Sequence, residues 1–119
     1  MFGIPVDQMH ITYNGVSDRF TPSPDMDLTR LHLREAGIEG QYILYLGKIQ
    51  KHKNIGRLLE AYAMYRKEFR TPLPLVLAGR EQGTVEPIAS IAERIGIASH
   101  ITRLGYVAED LFPELYRGA

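Results

Sequence analysis

A short basic loop is the part of the sequence with the clearest potential for chemistry. Residues 47–53 (GKIQKHK) contain three lysines and a histidine, and they directly precede Asn54, which can cap a helix. The first backbone N–H groups of a helix are free and the helix dipole is positive there, so this position favours an anion. Lys48 and Lys53 add positive charge, and a phosphate or diphosphate is the predicted ligand. A solvated basic surface loop explains the same residues equally well.

Other chemistry-bearing motifs are weaker. The loop is neither a Walker A sequence nor a GxGxxG fingerprint. A dinucleotide dehydrogenase would carry a ribose-binding carboxylate directly at the end of the second predicted strand, but Gly79 and Arg80 stand there, with Glu81 only after them, so that class is disfavoured. The chain has no cysteine, and its four histidines show no metal-ligand spacing, so no metal site is predicted.

The elements around the basic loop alternate between strand and helix. Apolar runs of strand length occupy residues 42–46, 75–78 and 101–104. Helical spacing follows each run: from Asn54 to Phe69, from Thr84 to a stop at Gly96, and from about Leu111 onwards. Uninterrupted apolar strands predict a parallel sheet with helices on both faces, hence an α/β, Rossmann-like fold. Ligands bind beyond the carboxyl ends of such strands, where the basic loop lies.

The predicted sheet is only half of a doubly wound one. A fourth strand would normally lie beside the first, so we expect a truncated domain. The expected strand order is third, second, first, which leaves residues 42–46 at an open edge that can pair with another copy of the chain. Upstream, Met9–Tyr13 is a short extended candidate, and two prolines within residues 21–25 predict a linker. A helix capped by Asp27 and ending at Gly37 should follow.

Bulk composition restricts the choice of partners. The chain has 14 basic and 14 acidic residues, so no global positive field favours nucleic acid or an anionic membrane. No apolar run approaches the roughly 20 residues of a membrane span. The first residues do not form a secretory signal, and a cytoplasmic location is the default expectation.

Taken in order, these motifs resemble the group 1 retaining glycosyltransferases of the GT-B fold. Residues 11–22 (ITYNGVSDRFTP) are similar to that family's joint between acceptor and donor domains. Residues 43–63 (ILYLGKIQKHKNIGRLLEAYA) carry the strongest similarity, and the His52-Lys53-Asn54 variant resembles mannosyltransferases of bacterial polysaccharide synthesis. Further family-like positions are residues 75–79 and 101–107, together with Leu115, Tyr116 and Ala119.

The resemblance implies an organisation and an activity. Residues 1–20 would be the tail of an acceptor domain and the joint, 21–41 a linker and connecting helix, and 42–119 the first half of a nucleotide-sugar-binding domain. The intact parent would transfer a sugar, with retention, from a UDP- or GDP-linked donor to a hydroxyl of a glycan or lipid-linked glycan. No metal or other cofactor is expected, and the parent would be cytoplasmic or peripheral at the inner face of the membrane.

The resemblance also assigns roles to individual residues. Gly47 would bring backbone close to the diphosphate, and Lys48, at a position that usually holds arginine, would pair with it. Lys53, Asn54, Gly79 and Arg80 would complete the donor site, and the backbone around Tyr106 and Val107 would hold the base. The family's paired glutamates would follow Ala119, so no catalytic residue is assigned and the fragment should at most bind nucleotide. The alternatives are a stand-alone nucleotide- or phosphate-binding module and a self-association module.

Overall fold

Three parallel strands form the centre of the molecule. The computed structural model of the 119-residue chain describes residues 5–83 and 86–119. The strands are β1 (Ile43–Leu46), β2 (Leu75–Ala78) and β3 (Ile101–Gly105), and they are hydrogen-bonded in the order β1-β2-β3. Both pairings are parallel, with Ile43 beside Leu75 and Leu75 beside Ile101. The α/β prediction and the strand order are therefore confirmed.

Helices cover both faces of this sheet, as β2 shows most clearly, since all four of its residues are buried. Its Leu75 and Leu77 pack in one core with α2 (Ile55–Glu68) and α3 (Ile88–Arg94). Its alternate residues pack in a second core with α1 (Met26–Glu35) and α4 (Phe112–Gly118). Successive strand residues point to opposite faces, so a continuous apolar run is the pattern that a strand covered on both faces requires. In the part of the chain described, no helix combines the length and apolarity needed to cross a membrane.

One predicted helix start needs correction, and a second lies outside the described residues. The cap of α1 is Asp25, whose carboxylate accepts hydrogen bonds from the backbone N–H groups of Asp27 and Leu28. Asp27 instead lies in the first turn, where its charge complements the helix dipole. The α3 helix begins at Ile88, directly after Pro87, whereas Thr84, the predicted start, lies outside the described residues. Proline has a fixed φ and no backbone N–H, so it suits a helix start, where an N–H would have no partner within the helix.

The segment before α1 belongs to no strand. Met9, Ile11 and Tyr13 are 54%, 84% and 90% exposed, so the predicted strand at Met9–Tyr13 is not formed. A strand is stable only where another strand accepts its backbone hydrogen bonds, and none of the three strands pairs with this segment. Arg19 contacts the rest of the fold, since its carbonyl accepts a hydrogen bond from Arg117 and its side chain pairs with Glu109.

Candidate functional site

Two glycines bring the first two strand-ending turns into direct contact. Gly47 follows β1 with φ of +154°, and Gly79 follows β2 with φ of +147°. A Cβ atom placed on Gly79 would lie 1.8 Å from the carbonyl oxygen of Gly47, far inside contact distance. The absence of a side chain at Gly79 is thus required by packing between the two turns, independently of any ligand.

The basic loop runs beside the turn after β2 and is fixed by backbone hydrogen bonds. Gly47 N donates to Ala78 O, Ile49 N donates to Arg80 O, and Gln82 N donates to Ile49 O, each at 2.9 Å. The Tyr45 hydroxyl donates to the Lys48 carbonyl at 3.0 Å. Burial raises the pKa of Tyr45, so this hydroxyl stays protonated to a higher pH than an exposed phenol. The loop backbone is therefore held in place while the Lys48 side chain is exposed.

A cleft of about 540 Å³ opens at the carboxyl ends of the strands. It brings together all of the predicted site residues except Lys53 and Asn54. Cationic and aromatic side chains share its wall with small and apolar residues. Its lining consists of Phe20, Leu46, Gly47, Lys48, Ala78, Gly79, Arg80, Gln82, Tyr106, Val107, Phe112 and Tyr116.

One cation in the cleft already covers an aromatic ring. The Arg80 guanidinium carbon lies 4.5 Å from the centroid of the Tyr106 ring, within the range of a cation–π contact. Tyr106 is nevertheless 65% exposed, so part of its ring remains accessible. Val107 beside it is buried in the core under α4, and it anchors the turn after β3. The two residues predicted to meet the base therefore differ: one presents a side chain and the other supports the backbone.

Lys53 and Asn54 lie outside this cleft. Residues 51–53 form one exposed turn of 3₁₀ helix, and Asn54 then takes the left-handed conformation, with φ of +55°. The Asn54 side chain makes no capping hydrogen bond to α2, so its predicted role as a side-chain cap is wrong. Asparagine tolerates positive φ, and the junction between the 3₁₀ turn and α2 requires it at this position. Among the described residues, neither Lys48 nor Lys53 has an acidic side chain within ion-pair distance.

The sequence prediction missed an aromatic wall of the cleft. Phe20, from the segment before α1, and Tyr116, from α4, meet edge-to-face with ring centroids 5.7 Å apart, and both line the cleft. Each belongs to a motif that carried the family resemblance, yet neither was assigned a role. No local pattern predicts their contact, because they are far apart in sequence and meet only through folding. Over the described ranges, no cluster of three His, Cys, Asp or Glu side chains could hold a metal ion.

Comparisons with known proteins identify the family of the chain. Residues 34–119 match the family described as "Glycosyl transferases group 1". The chain is 32% identical, over its whole length, to O-antigen chain mannosyltransferase B of Escherichia coli, of which it covers 31%. It is 28% identical over 126 aligned positions to mannosylfructose-phosphate synthase of Agrobacterium fabrum, covering 99% of this chain and 27% of that protein.

The fold itself has a counterpart among solved structures. It superposes on WaaG, described as a glycosyltransferase involved in lipopolysaccharide biosynthesis, with a TM-score of 0.61 and 23% identity. That alignment covers 85% of this chain and 27% of WaaG. The chain thus spans less than a third of the length of each of these three proteins. Because the family match extends over most of the chain, this protein belongs to the group 1 glycosyltransferases.

Proposed function

We propose that this chain binds the nucleotide-sugar donor of a glycosyltransferase, in the cleft at the carboxyl ends of its strands. The observation that carries the proposal is the composition of that cleft, where Lys48 and Arg80 stand among exposed aromatic rings. A nucleoside diphosphate has both complementary parts: an anionic diphosphate for the cations and a planar base for the rings. The donor would be UDP- or GDP-linked.

The diphosphate would lie at the turn that joins β1 to the basic loop. Gly47 has no side chain to obstruct an approaching phosphate, and hydrogen bonds to the turn after β2 already hold its backbone. Lys48 supplies a flexible point charge in place of the bidentate fork of an arginine. Lys53, just before the positive end of α2, would add attraction at longer range, and Asn54 would hold the turn that places it.

The base would lie at the turn after β3. Tyr106 offers a partly exposed ring there, and the buried Val107 holds the adjacent backbone in place. Arg80 covers the Tyr106 ring in the present structure, so a base would either displace the guanidinium or stack beside it. In either arrangement Arg80 would still share the cleft with Lys48.

The reaction would be transfer of a sugar from this donor to an acceptor hydroxyl, with retention of anomeric configuration. The acceptor would be a glycan or a lipid-linked glycan, in keeping with relatives described as an O-antigen chain mannosyltransferase and as a glycosyltransferase of lipopolysaccharide biosynthesis. The chain spans less than a third of those proteins, so the catalytic groups would come from other parts of a longer enzyme. We propose no metal or other cofactor.

A second candidate function is self-association. In the described part of the chain, β1 pairs with β2 alone, so its other edge is open. Its residues Ile43–Leu46 are apolar or aromatic, and they lack the charges and prolines that usually protect an edge strand. This candidate and donor binding are compatible, because the open edge and the cleft are different surfaces.

Isothermal titration calorimetry with UDP, GDP, their sugars and inorganic phosphate tests the proposal. A clear preference for a nucleoside diphosphate over inorganic phosphate is expected. Equal, weak binding of every anion would indicate a general phosphate-binding module instead. Absence of binding by the folded chain would contradict donor binding.

A further inference from the structure

We propose that Arg117 latches the segment before α1 onto α4 and thereby places Phe20 as a wall of the nucleotide cleft. The latch itself follows from geometry alone. Its consequence for ligand binding rests on the proposed function. Arg117 does not line the cleft, so it is a positioning residue that acts through Phe20.

The Arg117 guanidinium donates hydrogen bonds to three acceptors. Its Nε donates to the Thr21 carbonyl at 2.8 Å, and one Nη donates to the Arg19 carbonyl at 3.1 Å. The other Nη pairs with the Glu114 carboxylate at 2.8 Å. The Arg117 side chain is only 18% exposed, so these contacts are partly shielded from water. A planar guanidinium suits this task because its donors diverge in fixed directions, which a lysine ammonium cannot reproduce.

The latch is anchored to two helices. Glu114 is itself 17% exposed, and its second carboxylate oxygen accepts a hydrogen bond from the hydroxyl of Thr29 in α1. Thr29 is buried, at 1% exposure, in the packing of α1 against α4. An exposed pair between Arg19 and Glu109, at 3.5 Å, adds a weaker tie to the same segment. Glu114, Glu109 and Arg19 thus contribute the ion pairs at the latch.

The hydrogen bonds from Arg117 to the carbonyls on either side of Phe20 position this residue. Phe20 lies between the two residues whose carbonyls Arg117 holds, and its ring meets Tyr116, the neighbour of Arg117 in α4. Both rings line the cleft that contains Lys48 and Arg80. Holding the segment on α4 therefore sets two of the aromatic side chains that a bound nucleotide would meet. Because the two events are thermodynamically linked, a bound nucleotide should stabilise the Arg117 contacts, and those contacts should in turn strengthen nucleotide binding.

Limited trypsin digestion tests the latch without any ligand. Cleavage after Arg19 needs the chain around its carbonyl to leave Arg117, so Arg117→Gln should release the fragment ending at Arg19 faster than wild type. Arg117→Gln also removes the tryptic site after residue 117, so overall digestion would differ from wild type in any case. Mass spectrometry therefore follows only the fragment that ends at Arg19. Arg94→Gln is the matched control, since Arg94 forms an exposed ion pair with Glu86 on the opposite face of the sheet. Equal release from Arg117→Gln and Arg94→Gln would overturn the latch.

Nucleotide affinity tests what the latch does. For UDP or GDP, Arg117→Gln and Phe20→Ala are each expected to weaken binding by about threefold to thirtyfold, the range of coupling within one network. The double variant should bind no more weakly than Phe20→Ala alone, because Arg117 acts through that ring. Arg117→Lys keeps the charge without the fork, so it should behave like Arg117→Gln, and it replaces that variant if glutamine prevents folding.

The outcomes separate the two proposals. If the affinity losses of the two single variants multiply in the double variant, Arg117 does not act through Phe20. That result would overturn its positioning role. A wild-type chain that binds neither UDP nor GDP would contradict the proposed function and, with it, the role of Phe20 at a nucleotide. The digestion result would then still decide whether the latch exists.

Discussion

Gly79 packs directly on the backbone of Gly47, so that a Cβ atom on Gly79 would lie 1.8 Å from the Gly47 carbonyl oxygen. The contact joins the turns that follow β1 and β2, and both turns line the candidate donor cleft. Backbone atoms cannot give way as a flexible side chain does. The shape of the cleft therefore depends on a glycine at position 79, whether or not a ligand is bound.

Gly79→Ala is accordingly expected to destabilise the fold. The added methyl group would force the two turns apart and would sit at φ of +147°, so a loss of about 2–4 kcal/mol in the free energy of unfolding is expected. Urea denaturation followed by circular dichroism measures it. Gly56→Ala is the control: it has open space inside α2, and it should leave stability unchanged or raise it by about 0.5–1 kcal/mol. Equal stability of Gly79→Ala and wild type would show that the turns can separate freely.

Removing a lysine from the basic loop should weaken nucleotide binding. Lys48→Ala removes a charge that lines the cleft, and the loss of a charge-assisted contact is worth roughly 1–3 kcal/mol of binding free energy. Lys53→Ala should fall within the same range but below Lys48→Ala, because Lys53 lies outside the cleft lining. Calorimetry with UDP and GDP measures both losses. Lys67→Ala, near the far end of α2, should leave the affinity unchanged. If Lys48→Ala also leaves it unchanged, the diphosphate does not bind at this loop.

The buried tyrosines should make the fold sensitive to alkaline pH. Burial raises the pKa of Tyr42 to about 12 from its ordinary value of 10.0, and the pKa values of Tyr45 and Tyr62 are raised as well. Between pH 10.0 and about 12 the folded chain then binds more protons than the unfolded chain, so stability is full below this window and falls as pH rises through it.

Tyr42→Phe should flatten that alkaline loss. The variant also lacks the hydrogen bond from the Tyr42 hydroxyl to the Leu115 carbonyl, so about 1 kcal/mol should be lost at neutral pH. Urea denaturation in a pH series from 8 upwards, at roughly one-unit steps, compares it with Tyr13→Phe, whose side chain is 90% exposed. If the free energy of unfolding falls equally steeply with rising pH in both variants, Tyr42 titrates no differently in the folded and unfolded chains.

The open edge of β1 should make the chain self-associate. The amides of Ile43 and Gly47 donate to β2-side carbonyls, so by strand alternation the amide of Leu44 points away from β2. Light scattering on the 119-residue chain should give a mass that rises with concentration, with protection of the Leu44 amide rising in parallel. A stable monomer at micromolar concentration, with slow amide exchange at Leu44, would contradict the edge argument.

The 119-residue chain is expected to bind nucleotide without transferring sugar. The cleft offers cations and aromatic rings but, among its lining residues, no carboxylate that could act on a sugar. Incubation with UDP- and GDP-linked sugars, followed by chromatography of the released nucleotide, measures turnover. Turnover above that of the heat-inactivated chain would show that the catalytic groups lie within this sequence.

The architecture could be predicted from the sequence because its signals are local. Leu75–Ala78 is apolar at every position, of strand length and followed by Gly79, which is typical of a strand covered on both faces, and the helical spacing from Ile55 onward predicts α2. The basic loop and the glycines after β1 and β2 could be placed at one edge because the carboxyl ends of parallel strands always meet there. Most of the predicted donor residues therefore do lie together.

Tertiary structure alone decided the remainder of the site. The sequence predicted Asp27 as the cap of α1, whereas in the structure the cap is Asp25. Phe20 meets Tyr116, and Arg117 reaches back across 96 positions of sequence to the Thr21 carbonyl, contacts that no spacing rule encodes. Local propensity acts over a few residues, whereas these contacts exist only because helices packed on one face of the sheet bring distant segments together.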